Sequence, residues 1–253
     1  MKISFLGTGT SQGVPVIGCT CGICQSLDFR DKRSRSSIHV VWDDTSIVVD
    51  TGPDFRQQML RERVSKVDAI IYTHEHKDHT AGMDDVRSFN FLHKMDMPIY
   101  ARQQVIDQLK REFSYVFAET KYPGVPRVIT NVIGSTSFEI NGHTILPIEV
   151  MHYKLPVLGF RFGDFTYVTD ANHISDTELE KIKGSKYFVV NALQQTEHIS
   201  HFTLDEAIEI AQKVGAEKTY FTHISHRLGK HQEINSSLPE GIELAWDGLK
   251  IEL

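Results

Sequence analysis

Three imidazoles and an aspartate able to bind a metal ion fall within six consecutive positions of the segment Thr73-His74-Glu75-His76-Lys77-Asp78-His79-Thr80: His74, His76, Asp78 and His79. The segment follows an apolar run, Asp68 to Tyr72, that reads as a buried strand. A loop at a strand end can curl so that alternate residues meet one ion and the adjacent pair meets another. Imidazole and carboxylate suit borderline divalent metals such as zinc. Closed structural zinc sites usually draw on four ligands, often Cys, so an all-His/Asp set points to an open, catalytic site. A second concentration of ligand chemistry lies near the N-terminus, where the three cysteines, Cys19, Cys21 and Cys24, share six positions. An odd, clustered set does not make a disulfide framework; it points to metal binding and a reducing, cytoplasmic setting.

The elements that must position these groups alternate between strand and helix patterns, which predicts an α/β domain spanning residues 1–253. Lys2 to Leu6 reads as a strand entering the turn Gly7-Thr8-Gly9-Thr10-Ser11-Gln12-Gly13, which lacks the Lys-Ser/Thr ending of a phosphate-binding loop. Further strands are expected at Ser37 to Trp42, Ser46 to Asp50, Phe138 to Ile140, His143 to Val150, Leu158 to Phe162, Phe165 to Thr169, Tyr187 to Asn191, Lys218 to Thr222, Ile242 to Ala245 and Leu249 to Leu253. Helices are expected at Asp54 to Arg63, Arg102 to Phe113 and Thr203 to Val214. The halves echo each other: Val48-Val49-Asp50 and Val168-Thr169-Asp170 close hairpins, and Tyr72-Thr73-His74 and Phe221-Thr222-His223 close later strands. If the halves are related, these polar residues meet at one edge. The net charge of −6 and pI near 6.1 argue against a large nucleic-acid surface. No apolar run approaches the ~20 residues of a membrane span, and the N-terminal apolar stretch is too short for a secretory signal.

The His-x-His-x-Asp-His run resembles the motif of the metallo-β-lactamase superfamily, and its downstream companions follow in order: His152, Asp170 and His223. The resemblance implies a four-layer αββα sandwich with two divalent metals, zinc or manganese, at one sheet edge. It implies that His74, His76 and His152 hold one ion, that Asp78, His79 and His223 hold the other, and that Asp170 bridges them. Asp50 is implied to orient the His-rich loop by hydrogen bonds. His76 stands where the diiron electron-transfer branch has Glu. Two divalent ions, two aspartates and a bridging hydroxide leave about one positive charge, a field suited to a small phosphodiester monoanion. The segment Glu197-His198-Ile199-Ser200-His201-Phe202-Thr203 resembles the phosphodiesterase branch, ribonuclease Z included, in which a His acts as general acid. His201 is the preferred donor and His198 its rival.

Three clustered cysteines, Gly7-Thr8-Gly9-Thr10-Ser11, Gly82-Met83-Asp84-Asp85-Val86-Arg87 and Lys154-Leu155-Pro156-Val157-Leu158-Gly159-Phe160 are together similar to the PhnP-type phosphodiesterases. That family hydrolyses 5-phosphoribosyl 1,2-cyclic phosphate and accepts 2′,3′-cyclic nucleotides, with a structural zinc beside a dinuclear site. Cys19, Cys21 and Cys24 need one further ligand, for which His226 is the natural choice and His231 the alternative. Arg87 and Lys154 are candidate phosphate contacts. The family resemblance implies a homodimer. The long arm with which ribonuclease Z grips tRNA has no counterpart in the sequence, which weakens an RNA-processing reading. Thioester or lactam hydrolysis is the other alternative within the superfamily.

Overall fold

The computed structural model describes residues 1–120 and 122–253. Strands β1 (Lys2–Gly7), β2 (Ser37–Trp42), β3 (Thr45–Val49), β4 (Ala69–Ile71), β5 (Met97–Ala101), β6 (Val128–Val132) and β14 (Lys250–Glu252) form a seven-stranded sheet in the order β14-β1-β2-β3-β4-β5-β6. A second sheet has the order β13-β12-β11-β10-β9-β8-β7. It contains β7 (Phe138–Ile140), β8 (His143–His152), β9 (Leu155–Phe162), β10 (Phe165–Tyr167), β11 (Tyr187–Asn191), β12 (Lys218–Thr222) and β13 (Ile242–Leu244). Each sheet is antiparallel on one side and parallel on the other, with the change at β3 in the first and β10 in the second.

Side-chain alternation divides each strand between two cores. Ile47 and Val49 of β3 face the second sheet, where they join Leu158, Phe160, Phe162 and Tyr167; Val48 between them faces the outer helices. Helices α1 (Phe55–Glu62), α3 (Arg87–His93) and α4 (Gln103–Glu112) cover the first sheet, with Phe55, Phe89 and Leu109 inserted against Val48 and Ile70. Helices α6 (Asp176–Ile182), α7 (Leu204–Val214) and α8 (His231–Ser237) cover the second. The layers are therefore αββα, as the family resemblance implies. Helix α7 shows why its segment folds as it does. The Thr203 hydroxyl accepts from the Glu206 N–H, Glu206 accepts in return from the Thr203 N–H, and Ala207, Ile210, Ala211 and Val214 bury one face.

Several elements differ from the sequence expectation. Strands β5 and β6 and helices α3, α6 and α8, with the short α2 (Lys77–Thr80) and α5 (Ser114–Phe117), are additional. Strand β5 carries Pro98, whose missing N–H masks a strand pattern. The echo between the halves is also corrected in one respect. Asp50 and Asp170 follow the equivalent strands β3 and β10, but His74 follows β4, beside β3, whereas His223 follows β12, two strands from β10. The Thr-His repeat is therefore not a symmetry mate, although all four residues do reach one edge. Among the described residues no helix is long and apolar enough to cross a membrane.

Candidate metal centre and its flanking cavities

The site forms where the parallel strands end. Three of its residues sit in the left-handed backbone region, Asp50 at φ 64°, Asp170 at φ 56° and His223 at φ 54°. Such a backbone costs a non-glycine residue of order 1–3 kcal/mol when nothing compensates, and Asp tolerates it best. The His-rich loop is clasped from below by backbone: Thr51 N–H donates to His79 O (2.8 Å) and Gly82 N–H donates to Thr51 O (2.8 Å). The clasp needs two glycines. A Cβ on Gly52 would lie 2.2 Å from Asp78 O, and one on Gly82 would lie 2.2 Å from Gly52 O.

Asp50, fully buried, organises the imidazoles. Its carboxylate accepts from Thr73 N–H (2.8 Å), Thr73 Oγ1–H (2.8 Å) and His79 Nδ1–H (2.7 Å). Thr73 Oγ1, having given its proton to Asp50, accepts from His74 Nδ1–H (3.0 Å). His152 Nδ1–H donates to Ser200 O (2.8 Å). In all three imidazoles the Nδ1 proton is thereby fixed and the Nε2 lone pair is free to bind a cation.

Two donor groups result, each with its ligand atoms within 4.8 Å of one another: His74, His76 and His152, and Asp78, His79, Asp170 and His223. His74 Nε2 lies 3.0 Å from His76 Nδ1. Asp170 joins the imidazoles, with Oδ2 3.1 Å from His79 Nε2 and Oδ1 3.2 Å from His223 Nε2; Asp78 Oδ2 is 3.2 Å from His79 Nε2. These separations approach the edge of roughly 3.4 Å expected between N and O ligands on one tetrahedral zinc. His79 Nε2 is buried without a hydrogen-bond partner of good geometry, facing two carboxylates. A buried ring nitrogen that faces two carboxylates and makes no well-formed hydrogen bond is what a cation site offers, so the residues fit the metals their types suggest.

The electrostatics agree. Burial disfavours the charged form of Asp170, but His223 and His79 override it and hold its carboxyl well below the usual range. Burial likewise opposes charging of His79, yet Asp78, Asp170 and Asp50 hold its pKa well above the usual imidazole value, so without a cation these carboxylates favour a proton on Nε2 that a metal ion would displace. His201 packs over this centre, its Nδ1 3.9 Å from Asp170 Oδ1 and its ring 4.6 Å from that of His152. Burial, reinforced by His223, pushes its pKa down to about 3, so the ring is neutral at pH 7. His201 also forms a third donor group with His152 and Asp170, a placement the sequence did not suggest. Its rival His198 is more exposed and belongs to none of these groups.

Two cavities flank the centre. One of ≈450 Å³ is lined by His76, His152, Tyr153, Lys154, Leu155, Ile199 and Ser200. The other, of ≈250 Å³, includes Thr10, Ser11, Gln12, Gln194, His198, His201, Ser225, His226 and Arg227. Lys154 therefore stands beside two of the imidazoles. Arg87, by contrast, lines neither cavity; its guanidinium pairs with Asp84 at 3.3 Å. The sequence grouped Arg87 with the site because the motif Gly82 to Arg87 is shared, but the structure uses Gly82, for backbone contact. Arg227 went unnoticed in the sequence, although it stands four residues after His223.

The cysteine cage lies next to the smaller cavity. His226 Nδ1 is 3.3 Å from Cys19 Sγ and 3.5 Å from both Cys21 Sγ and Cys24 Sγ. A tetrahedral zinc with three sulfurs and one nitrogen has N···S edges of about 3.6 Å. The Cys24 N–H donates to Cys21 Sγ and, with His226 alongside, brings the Cys21 thiol down to about 6. His231 is engaged elsewhere, its Nδ1 accepting from Arg33 Nη2 at 3.1 Å and its backbone N–H donating to Asp31.

A family model described as the beta-lactamase superfamily domain matches residues 45–224. A crystal structure of a diphosphatase from the PhnP family superposes with a TM-score of 0.93 at 41% identity, covering 100% of this chain and 97% of that one. The octanoyltransferase of Porphyromonas gingivalis (strain ATCC BAA-308 / W83) is 37% identical over 253 residues, which is 99% of this chain and 51% of the relative, so the chain spans about half the length of the curated relative it matches. Human tRNase Z, short form, shares the fold at TM-score 0.72 and 18% identity, covering 100% of this chain and 99% of that one. With its histidine and aspartate donors gathered at the sheet edge, the chain belongs to the metallo-β-lactamase superfamily, as a PhnP-like protein.

Proposed function

We propose that the chain is a dinuclear metal-dependent phosphodiesterase acting on small cyclic phosphodiesters, such as 5-phosphoribosyl 1,2-cyclic phosphate or 2′,3′-cyclic nucleotides. The observation that carries this reading is the position of His201, packed over the joined donor groups and lining the cavity beside them. Two divalent cations, zinc or manganese, held by those groups supply Lewis acidity, which lowers the pKa of water and offsets charge on phosphoryl oxygens. His74, His76 and His152 would hold one cation and Asp78, His79 and His223 the other, with Asp170 between the two sets. Asp50 and Thr73 fix the tautomers of His79 and His74, and Ser200 O fixes that of His152. His201 gives its proton to the departing alkoxide. A phosphodiester anion against the ring favours its imidazolium form, which the empty pocket does not. Lys154 offers a cation to the phosphoryl group from the larger cavity. Cys19, Cys21, Cys24 and His226 hold a structural zinc that pins the N-terminal loop beside the site. The family resemblance further points to a homodimer, for which mass measurement in solution is the test.

The experiment is a turnover screen of Zn²⁺- and Mn²⁺-loaded protein over bis(p-nitrophenyl) phosphate, 2′,3′-cyclic AMP, a thioester and nitrocefin. Hydrolysis of the two phosphodiesters is expected; activity confined to the thioester or nitrocefin would overturn the reading in favour of acyl chemistry. His201→Ala should cost about 10²–10³-fold in kcat on the cyclic nucleotide with metal content unchanged. It should cost much less on bis(p-nitrophenyl) phosphate, whose nitrophenolate leaves without a proton. Equal losses on both substrates would remove the general-acid role.

A further inference from the structure

The loop that carries His201 has little apolar anchorage. Residues 195–199 are exposed, and the chain is buried again only from His201 onward. Its course is therefore fixed by hydrogen bonds, and three of them bracket His201. Phe202 N–H donates to Ala171 O (2.8 Å), His152 Nδ1–H donates to Ser200 O (2.8 Å), and Asn172 Nδ2–H donates to Ile199 O (3.2 Å). The last bond comes from a side chain that the proposed mechanism leaves unused. Asn172 has a fixed base: its N–H donates to Met151 O (2.9 Å), and Met151 N–H donates to His173 O (2.9 Å). Its other amide atom, Oδ1, accepts from Tyr153 N–H (2.7 Å). Tyr153 opens the turn between β8 and β9 at φ 57°, a left-handed backbone that a tyrosine keeps only when its surroundings compensate. The two partners set which way the amide points, because Tyr153 N–H can only donate and Ile199 O can only accept. Tyr153 and Lys154 line the larger cavity from the hairpin, and Ile199 and Ser200 line it from the loop. One amide joins the two.

We propose that Asn172 is a positioning residue, which ties the His201 loop to the hairpin turn at Tyr153 and so sets the reach of the His201 ring to the departing alkoxide. This rests on the phosphodiesterase reading above. A general acid must lie within hydrogen-bond reach of the atom it protonates, so a small drift of an exposed loop costs rate without touching the metal ligands. Asn172 opposes that drift at Ile199, two residues before the acid. The same side chain holds the turn that presents Lys154, so acid and cation are registered to each other through a single group.

Two variants separate the arms of the amide. Asn172→Asp keeps an acceptor for Tyr153 N–H but sets a carboxylate oxygen against Ile199 O, releasing only the loop; Asn172→Ala releases loop and hairpin together. With the metal-loaded full chain, Asn172→Asp should lower kcat on 2′,3′-cyclic AMP about 10-fold and on bis(p-nitrophenyl) phosphate, whose leaving group needs no proton, by no more than about twofold. Metal content should be unchanged. Added to His201→Ala, Asn172→Asp should cost nothing further on 2′,3′-cyclic AMP, since there is no acid left to position. Amide hydrogen exchange followed by NMR gives a readout without turnover. Asn172→Asp should speed exchange at Phe202 while sparing Tyr153, and Asn172→Ala should speed both. Equal losses on the two substrates, an additive loss with His201→Ala, or wild-type exchange at Phe202 overturns the proposal. If neither phosphodiester is turned over, the phosphodiesterase reading fails and takes the positioning of an acid with it, whereas turnover with unequal effects of the kind expected supports both.

Discussion

Replacing Asp50 by Asn should change the site through a single proton. The carboxylate accepts three hydrogen bonds, from Thr73 N–H, Thr73 Oγ1–H and His79 Nδ1–H, all 2.7–2.8 Å long. An asparagine can keep its oxygen on Thr73 N–H, which places its amide N–H against His79 Nδ1. His79 then accepts rather than donates there, and its proton moves to Nε2, between Asp78 and Asp170. A protonated Nε2 cannot bind a cation. Restoring the binding tautomer sacrifices a hydrogen bond to a charged group, worth about 1.5–3 kcal/mol, or roughly a 10- to 100-fold loss of affinity for one ion. The volume change is negligible, so the fold should persist. Metal content by mass spectrometry after dialysis against graded chelator, together with the metal-induced shift in thermal midpoint, should show one ion weakened and the cysteine-held zinc unaffected. An Asp50→Asn variant that binds both ions with wild-type affinity would refute the tautomer argument. Asp50→Ala provides the contrast: it removes every acceptor and should lower stability in the metal-free protein as well.

Cys21→Ser should lose one tightly held zinc per chain and several degrees of thermal midpoint, whereas an unchanged zinc count would mean that the cage binds no metal. Gly52→Ala drives a Cβ to within 2.2 Å of Asp78 O and should cost about 3 kcal/mol in urea unfolding while weakening metal retention. His39 supplies a pH prediction: burial pushes its pKa down to about 4 from 6.5, so the unfolded chain binds the proton first and stability falls as pH drops below 6.5 toward 4. Its Nε2–H donates to Ser46 Oγ (2.7 Å), a bond Gln can reproduce, so His39→Gln should lose about 2 kcal/mol less than wild type between pH 7 and pH 4.5 by urea midpoint.

The donors gathered at the sheet edge are those the spacing of His74, His76, Asp78 and His79 and the family resemblance of His152, Asp170 and His223 together implied; His74 to His79 lie in one short stretch, and the other three each end or follow a strongly apolar strand. What holds them was only partly legible. Asp50 was expected to orient the loop, but its link to His74 through Thr73 depends on a left-handed turn that no residue type announces. Ser200 acts through its carbonyl, which any residue could supply. Helix α3 carries two phenylalanines and an asparagine where strong helix formers would be expected, and strand β6 is half-exposed at a sheet edge, so neither has a clear periodicity. Helix α6 did carry a signal, Ser175 three residues before Glu178, and the hydroxyl does accept from the Glu178 N–H. Arg87 shows the opposite failure, since a charge beside a motif says nothing about which way it faces.

The pairing of β1 with β14 joins Lys2 to Glu252 across 250 positions, and the metal-facing groups span residues 74 to 223. During synthesis from the N-terminus, the His-rich loop is therefore made while β1 still lacks one neighbour and the second sheet does not exist. A cation reaching the growing chain finds imidazoles without Asp170 or His223 to complete the coordination. The donor set is complete only once His223, after β12, has been made, so a cation bound before then would be held by an unfinished set of ligands that selects poorly among ions.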